Sequence, residues 1–140
     1  MKVIKLLLLC SAVFLSLLGC EENNTYKERL KDPQLFHNSM QQLSDVIVYD
    51  IFSPPVAARV YMYPTIAAYA IMQKQYPNKY EDMAGQLSDF KSIPEINDPD
   101  IHAELAAIHA FLKVGTALIF SEDKIIEYRD SLYASLEEDG

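Results

Sequence analysis

Three times in this chain an Asp or Ser stands directly before proline, at Asp32-Pro33, Ser53-Pro54-Pro55 and Asn97-Asp98-Pro99, and a helically spaced apolar run follows each. Proline presets φ near the helical value and gives up an amide that the first turn could not use, while the preceding side-chain oxygen can accept from the amides left free. Each pair therefore predicts a helix start. Behind the first, Leu35/Phe36, Met40, Leu43, Ile47 and Ile51 recur at spacings of three and four, an amphipathic helix of about 20 residues. It must end at Ser53-Pro54-Pro55, because proline has no amide donor and pushes its predecessor out of the α region. With Ser53 as cap, the stretch from Pro54 to Gln75 is apolar on more than one face, which predicts a central helix. Pro64 in its middle is expected to kink or split it.

Further on, a shorter helix is expected from Glu81 to Phe90, with Gly85 its weak point. After Asn97-Asp98-Pro99 comes the cleanest stripe, Ile101, Leu105, Ile108, Leu112, Gly115 and Ile119. Ser121 is expected to cap a last helix with Glu122 and Asp123 in its first turn and Ile125, Tyr128, Leu132 and Leu136 on its inner face. No strand pattern competes. The fold class predicted is all-α, a helical bundle of about five helices that follows a cleaved lipoprotein signal peptide.

The signal is read from residues 1–20. Lys2 and Lys5 precede an apolar run from Leu6 to Leu18, followed by Gly19 and Cys20. A basic start and an apolar core too short to span a bilayer make a secretory signal. Leu17-Leu18-Gly19-Cys20 resembles the bacterial lipobox. The resemblance implies that Cys20 becomes the first mature residue and the lipid anchor, carrying diacylglycerol and an N-acyl chain such as palmitate. Leu18 is larger than the residue usual at that place. The organisation expected is then a signal peptide over 1–19, a lipidated cysteine with a polar tether over 20–31, and an α-helical domain over 32–140. Cys10 leaves with the signal and Cys20 is spent on lipid, so no thiol remains for a disulfide, a metal or a nucleophile. Glu21 and Glu22 directly after Cys20 resemble the export signal of Bacteroidetes-type surface lipoproteins, which implies the outer membrane of a Gram-negative bacterium.

Charge and glycine content exclude whole classes of function. The chain carries −8, and without Lys2 and Lys5 the balance becomes −10, so phosphate backbones are repelled and no nucleic-acid partner is expected. Four glycines, at 19, 85, 115 and 140, leave no phosphate-cradling loop and no nucleophile elbow. His102 and His109 lie seven apart on one helical face, about 10 Å of rise, too far to share an ion without a ligand from elsewhere; His37 stands alone. No catalytic, cofactor-binding or metal residue is assigned. Asp50, at the end of an apolar helix, is expected to hold Arg59 or free backbone amides at the corner. The tyrosines at 49, 61, 63, 69, 76 and 80 are read as core, the alternative being that they line an amphipathic cleft.

The run from Asp50 to Tyr61 (DIFSPPVAARVY), then Ile66-Ala67-Ala68-Tyr69 and Met83-Ala84-Gly85-Gln86-Leu87, resembles the N-terminal helices of lipoproteins in the vanadium-dependent haloperoxidase and type 2 phosphatidic acid phosphatase superfamily, over about residues 35 to 120. Members often carry an acid after the Ala-x-Tyr segment, where this chain has Ala70. The family binds vanadate or phosphate through a Lys, an Arg-Pro pair, a Pro-Ser-Gly-His segment and a Ser-Arg segment leading to a histidine; this chain has no Arg-Pro, Ser-Gly, Gly-His or Ser-Arg. An oxyanion pocket needs several cations and donors converging on one tetrahedral group. The resemblance thus implies a non-catalytic N-terminal helical half, inactive alone, whose partner would be a C-terminal catalytic half; it should expose apolar surface around 56–72 or 105–119. The alternative is a complete small α-helical surface lipoprotein that binds a partner protein or small apolar ligand, and a third reading is an enzyme with an unrecognised carboxylate site.

Overall fold

The computed structural model describes residues 25–96 and 98–139. The expected signal peptide and Cys20 lie outside the described residues. Among the described residues five helices follow one another: α1 (Thr25–Leu30), α2 (Pro33–Tyr49), α3 (Pro54–Gln75), α4 (Ala103–Thr116) and α5 (Glu122–Glu137). Among the described residues there is no strand, only an isolated bridge between Ala84 and Leu87. The molecule is an all-α bundle, as its stripes require.

Helix α2 starts as the sequence dictates: Asp32 is extended, its Oδ1 accepts the Gln34 amide at 2.9 Å, and Pro33 opens the first turn. Leu35, Leu43, Val46 and Ile47 go into the core. The helix stops earlier than its stripe suggests. Ile51 takes φ 57°, the Phe52 amide donates to the Ile47 carbonyl at 3.2 Å and the Ile51 amide to Val48 at 3.1 Å. This is a Schellman closure with a β-branched residue where glycine is usual. Ile51 is therefore not an inner residue but 87% exposed.

Helix α3 runs unbroken through Pro64, so the expected split does not occur. Proline removes the amide that would bond the carbonyl four residues back, but its ring is fully buried and lies against α4, where a Cβ on Gly115 would sit 3.8 Å from Pro64 Cγ. Packing compensates for the missing bond. The central position expected for α3 is not observed. Val60, Pro64, Ala68 and Ala70 are its buried residues, while Met62 is 57% exposed and Val56, Tyr61 and Tyr63 also face outward. The tyrosine expectation fails with it: none of the six is buried, and Tyr49, Tyr61 and Tyr63 are exposed.

No helix forms over 81–90. Gly85 and Asp89 adopt φ 82° and 62°, and the Asp82 carboxylate takes the Ala84 amide at 2.8 Å in a local turn that competes with helix. This connection is tied down by Tyr69, which donates to the Glu81 carbonyl at 2.9 Å, and by the Lys74–Glu95 ion pair at 2.6 Å. Helix α4 begins at Ala103, with His102 at its N-cap, rather than at Pro99; Asp98 accepts the Asp100 amide at 3.0 Å in an isolated turn ahead of it. From there its stripe holds: Ile108, Phe111 and Leu112 are buried, and Phe111 is 0% exposed. Gly115 is a close-approach point, a Cβ there meeting Leu43 Cδ1 at 3.3 Å. Helix α5 turns Ile125, Leu132 and Leu136 inward.

The fifth helix is α1, inside the stretch expected as tether. Leu30 is buried in the core, and Arg29 donates to the Ser135 carbonyl (3.0 Å) and hydroxyl (3.2 Å) while pairing with Asp139. A six-residue helix has no stability of its own; these contacts hold it against the end of α5.

Candidate functional site

Because α1 is pinned to α5, a groove of about 790 Å³ opens along the outer side of α4. Its floor and walls are Ile71 of α3, Leu105, Ala106 and Ala110 of α4 and Leu136 of α5. Two Tyr–His pairs edge it. Tyr26 OH and His102 Nε2 share a hydrogen bond at 3.3 Å with their rings edge to face, and Tyr133 OH meets His109 Nδ1 at 2.5 Å with the rings stacked. Burial pushes the Tyr133 phenol above its ordinary 10.0, against a downward pull from Arg129, so it stays a neutral hydroxyl. His102 and His109 thus do line one groove, yet each is satisfied by a different tyrosine. Among the described residues no group of three or more His, Cys, Asp or Glu is placed to hold a metal ion. His37 is exposed on α2. Among the described residues the charged side chains lining the groove are the acidic Asp100 and Glu137.

Asp50 forms the second convergence of polar groups. Its Oδ2 accepts the amides of Phe120 (2.8 Å) and Ser121 (3.1 Å), and its Oδ1 accepts the Ser121 hydroxyl at 2.5 Å. The expected amides are found, but they come from the α4–α5 turn and not from the adjacent corner, and Arg59 is not the partner. Ser121 makes no side-chain cap to its own helix; its hydroxyl is given instead to the Asp50 carboxylate, which reaches across from the end of α2. Burial raises the Asp50 pKa, but the Ser121 hydroxyl, the two amides and Lys124 together outweigh it, so the carboxyl is held below its ordinary 3.8. The clasp is structural. Beside it an apolar tip is exposed, with Val48, Tyr49, Ile51 and Phe120, the last 79% accessible.

Among the described residues the arginines do not gather. Arg29 pairs with Asp139, Arg129 with Asp130, and Arg59 is exposed on α3. No two arginines share a partner, so among the described residues the donor set does not fit a tetrahedral oxyanion such as vanadate or phosphate, which needs several cations on one point.

No protein-family model matches the chain, and no curated protein does. A solved structure of a bacterial vanadium-dependent iodoperoxidase does match: TM-score 0.72 and 39% identity over 77% of this chain, against 26% of that protein's chain. The chain therefore spans about a quarter of the protein it matches, and the bundle is a haloperoxidase-like helical fold.

Proposed function

We propose that this chain is the helical scaffold of a haloperoxidase- or phosphatase-like protein, anchored to the outer membrane through lipid on Cys20, with the oxyanion-binding half supplied by other residues than these. The observation that carries the reading is the iodoperoxidase match at 39% identity, confined to 26% of that protein. Two features support it. The arginines are scattered, with no two on one partner, and α3 shows solvent an apolar face of Val56, Tyr61, Met62 and Tyr63 that a second body could cover.

The test is direct. Purified mature protein, supplied with vanadate and peroxide, should oxidise neither iodide nor bromide above the buffer rate, and should not hydrolyse a phosphate monoester. Turnover by this chain alone overturns the scaffold reading. Anchoring is tested separately: radiolabelled palmitate should enter the protein in cells and be lost in Cys20→Ser.

A second reading, a small helical surface lipoprotein that binds a partner protein or apolar ligand, is favoured by the groove beside α4. The two differ at α3. As a scaffold, the protein should bind an apolar dye or self-associate through Val56 and Met62, and Met62→Glu should abolish this; as a self-sufficient binder it should be a non-sticky monomer with or without that change.

A further inference from the structure

We infer that the groove between α1, α4 and α5 holds one acyl chain carried by the protein's own Cys20, a reading that rests on the lipidation proposed above. The chain's course brings the lipid there. Tyr26 lines the groove and Cys20 stands six positions before it, a span of at most about 20 Å of extended chain. The groove's volume of about 790 Å³ lies within the range of sites that enclose small molecules.

Its chemistry selects this occupant over others. Apart from its rim the groove offers Ile71, Leu105, Ala106, Ala110 and Leu136, surfaces that gain by being covered with hydrocarbon. The Tyr26 and Tyr133 hydroxyls are already bonded to His102 and His109, and an apolar chain laid over the groove leaves both bonds in place. The charges lining the groove, Asp100 and Glu137, are both negative and repel the carboxylate of a free fatty acid, whereas an ester- or amide-linked chain has no charge to repel. Withdrawing one of three chains from the bilayer still leaves two, enough for a stable anchor.

The experiment uses the full chain in cells fed a photoreactive diazirine analogue of palmitate. After irradiation, peptides are mapped by mass spectrometry. The inference predicts label on Cys20 and cross-links to Leu105, Ala106, Ala110 or Leu136, falling at least tenfold in Ala106→Phe, which fills the groove, while the Cys20 label is retained. Label on Cys20 with cross-links to membrane lipid alone overturns the inference and leaves the anchor standing. Groove cross-links that persist in Cys20→Ser mark a free fatty acid and also overturn it. An unlabelled Cys20 removes the anchor and the inference together.

Discussion

Replacing Asp50 with alanine should lower stability by about 2 kcal/mol. The carboxylate takes three hydrogen bonds, from the amides of Phe120 and Ser121 and from the Ser121 hydroxyl. Bonds to a charged group contribute roughly 1.5–3 kcal/mol each when fully buried, but Phe120 is largely exposed, and water can take over its amide. What remains is comparable to the loss of a strong helix cap, about 1–2 kcal/mol, plus the separation of α2 from the α4–α5 turn. For a domain near this size, ~2 kcal/mol corresponds to a fall of roughly 8 °C in Tm. Thermal unfolding of the mature protein followed by circular dichroism measures it, with Asp50→Asn as the variant that keeps shape and loses charge. The pH dependence adds a second signature. Because the folded carboxyl titrates below its ordinary 3.8, its contribution is complete above that value and is lost as pH falls through the lower folded one. The gap between wild type and Asp50→Asn should therefore be full at neutral pH and close on acidification below about pH 4. An unchanged Tm in Asp50→Ala, or a gap that widens in acid, refutes the clasp.

Ile51→Gly should raise stability by about 0.5–1 kcal/mol, since it relieves a left-handed β-branched residue at a Schellman position and loses no packing; a lower midpoint in urea would contradict this. Gly115→Val should cost about 2 kcal/mol by driving its γ-carbons toward Leu43 and Pro64, while Gly115→Ala should stay within about 1 kcal/mol of wild type, helix propensity offsetting a contact at 3.3 Å. Wild-type melting of the valine variant would show that the helices can separate there. Arg29→Ala should release α1 from α5 and raise amide exchange over Thr25–Leu30 at least tenfold without unfolding the remaining helices; unchanged protection would place the hold elsewhere.

The helices that stand out in the sequence are those whose burial follows local spacing. Leu35, Leu43 and Ile47 on α2, Ile108 and Leu112 on α4, and Ile125, Leu132 and Leu136 on α5 all face the core. Helix α1 shows no stripe, because it is held by partners far along the chain: Arg29 by Ser135 and Asp139, Tyr26 by His102. The exposure of α3 was implied by the resemblance, which expected apolar surface around 56–72, and not by the helical pattern itself. A helix apolar on several faces signals the centre of a closed core, and the same pattern serves a face awaiting another body. Pro64 misleads for a related reason, since a buried ring against Gly115 outweighs one missing hydrogen bond. Glu81 to Phe90 carries helix-compatible spacing, but the left-handed Gly85 and Asp89 override it. Of the candidate sites, Asp50 was visible as a carboxylate in need of amides; that they lie some seventy residues on, at Phe120 and Ser121, is a property of the bundle. The Tyr–His pairs of the groove left no signal, because neither pair is close in sequence.

Vanadate titrated into the purified mature protein, followed by calorimetry, tests most directly the claim that this bundle is a scaffold without an oxyanion pocket. No saturable heat is expected, because Arg29, Arg59 and Arg129 share no partner. One-to-one binding in the micromolar range would contradict it.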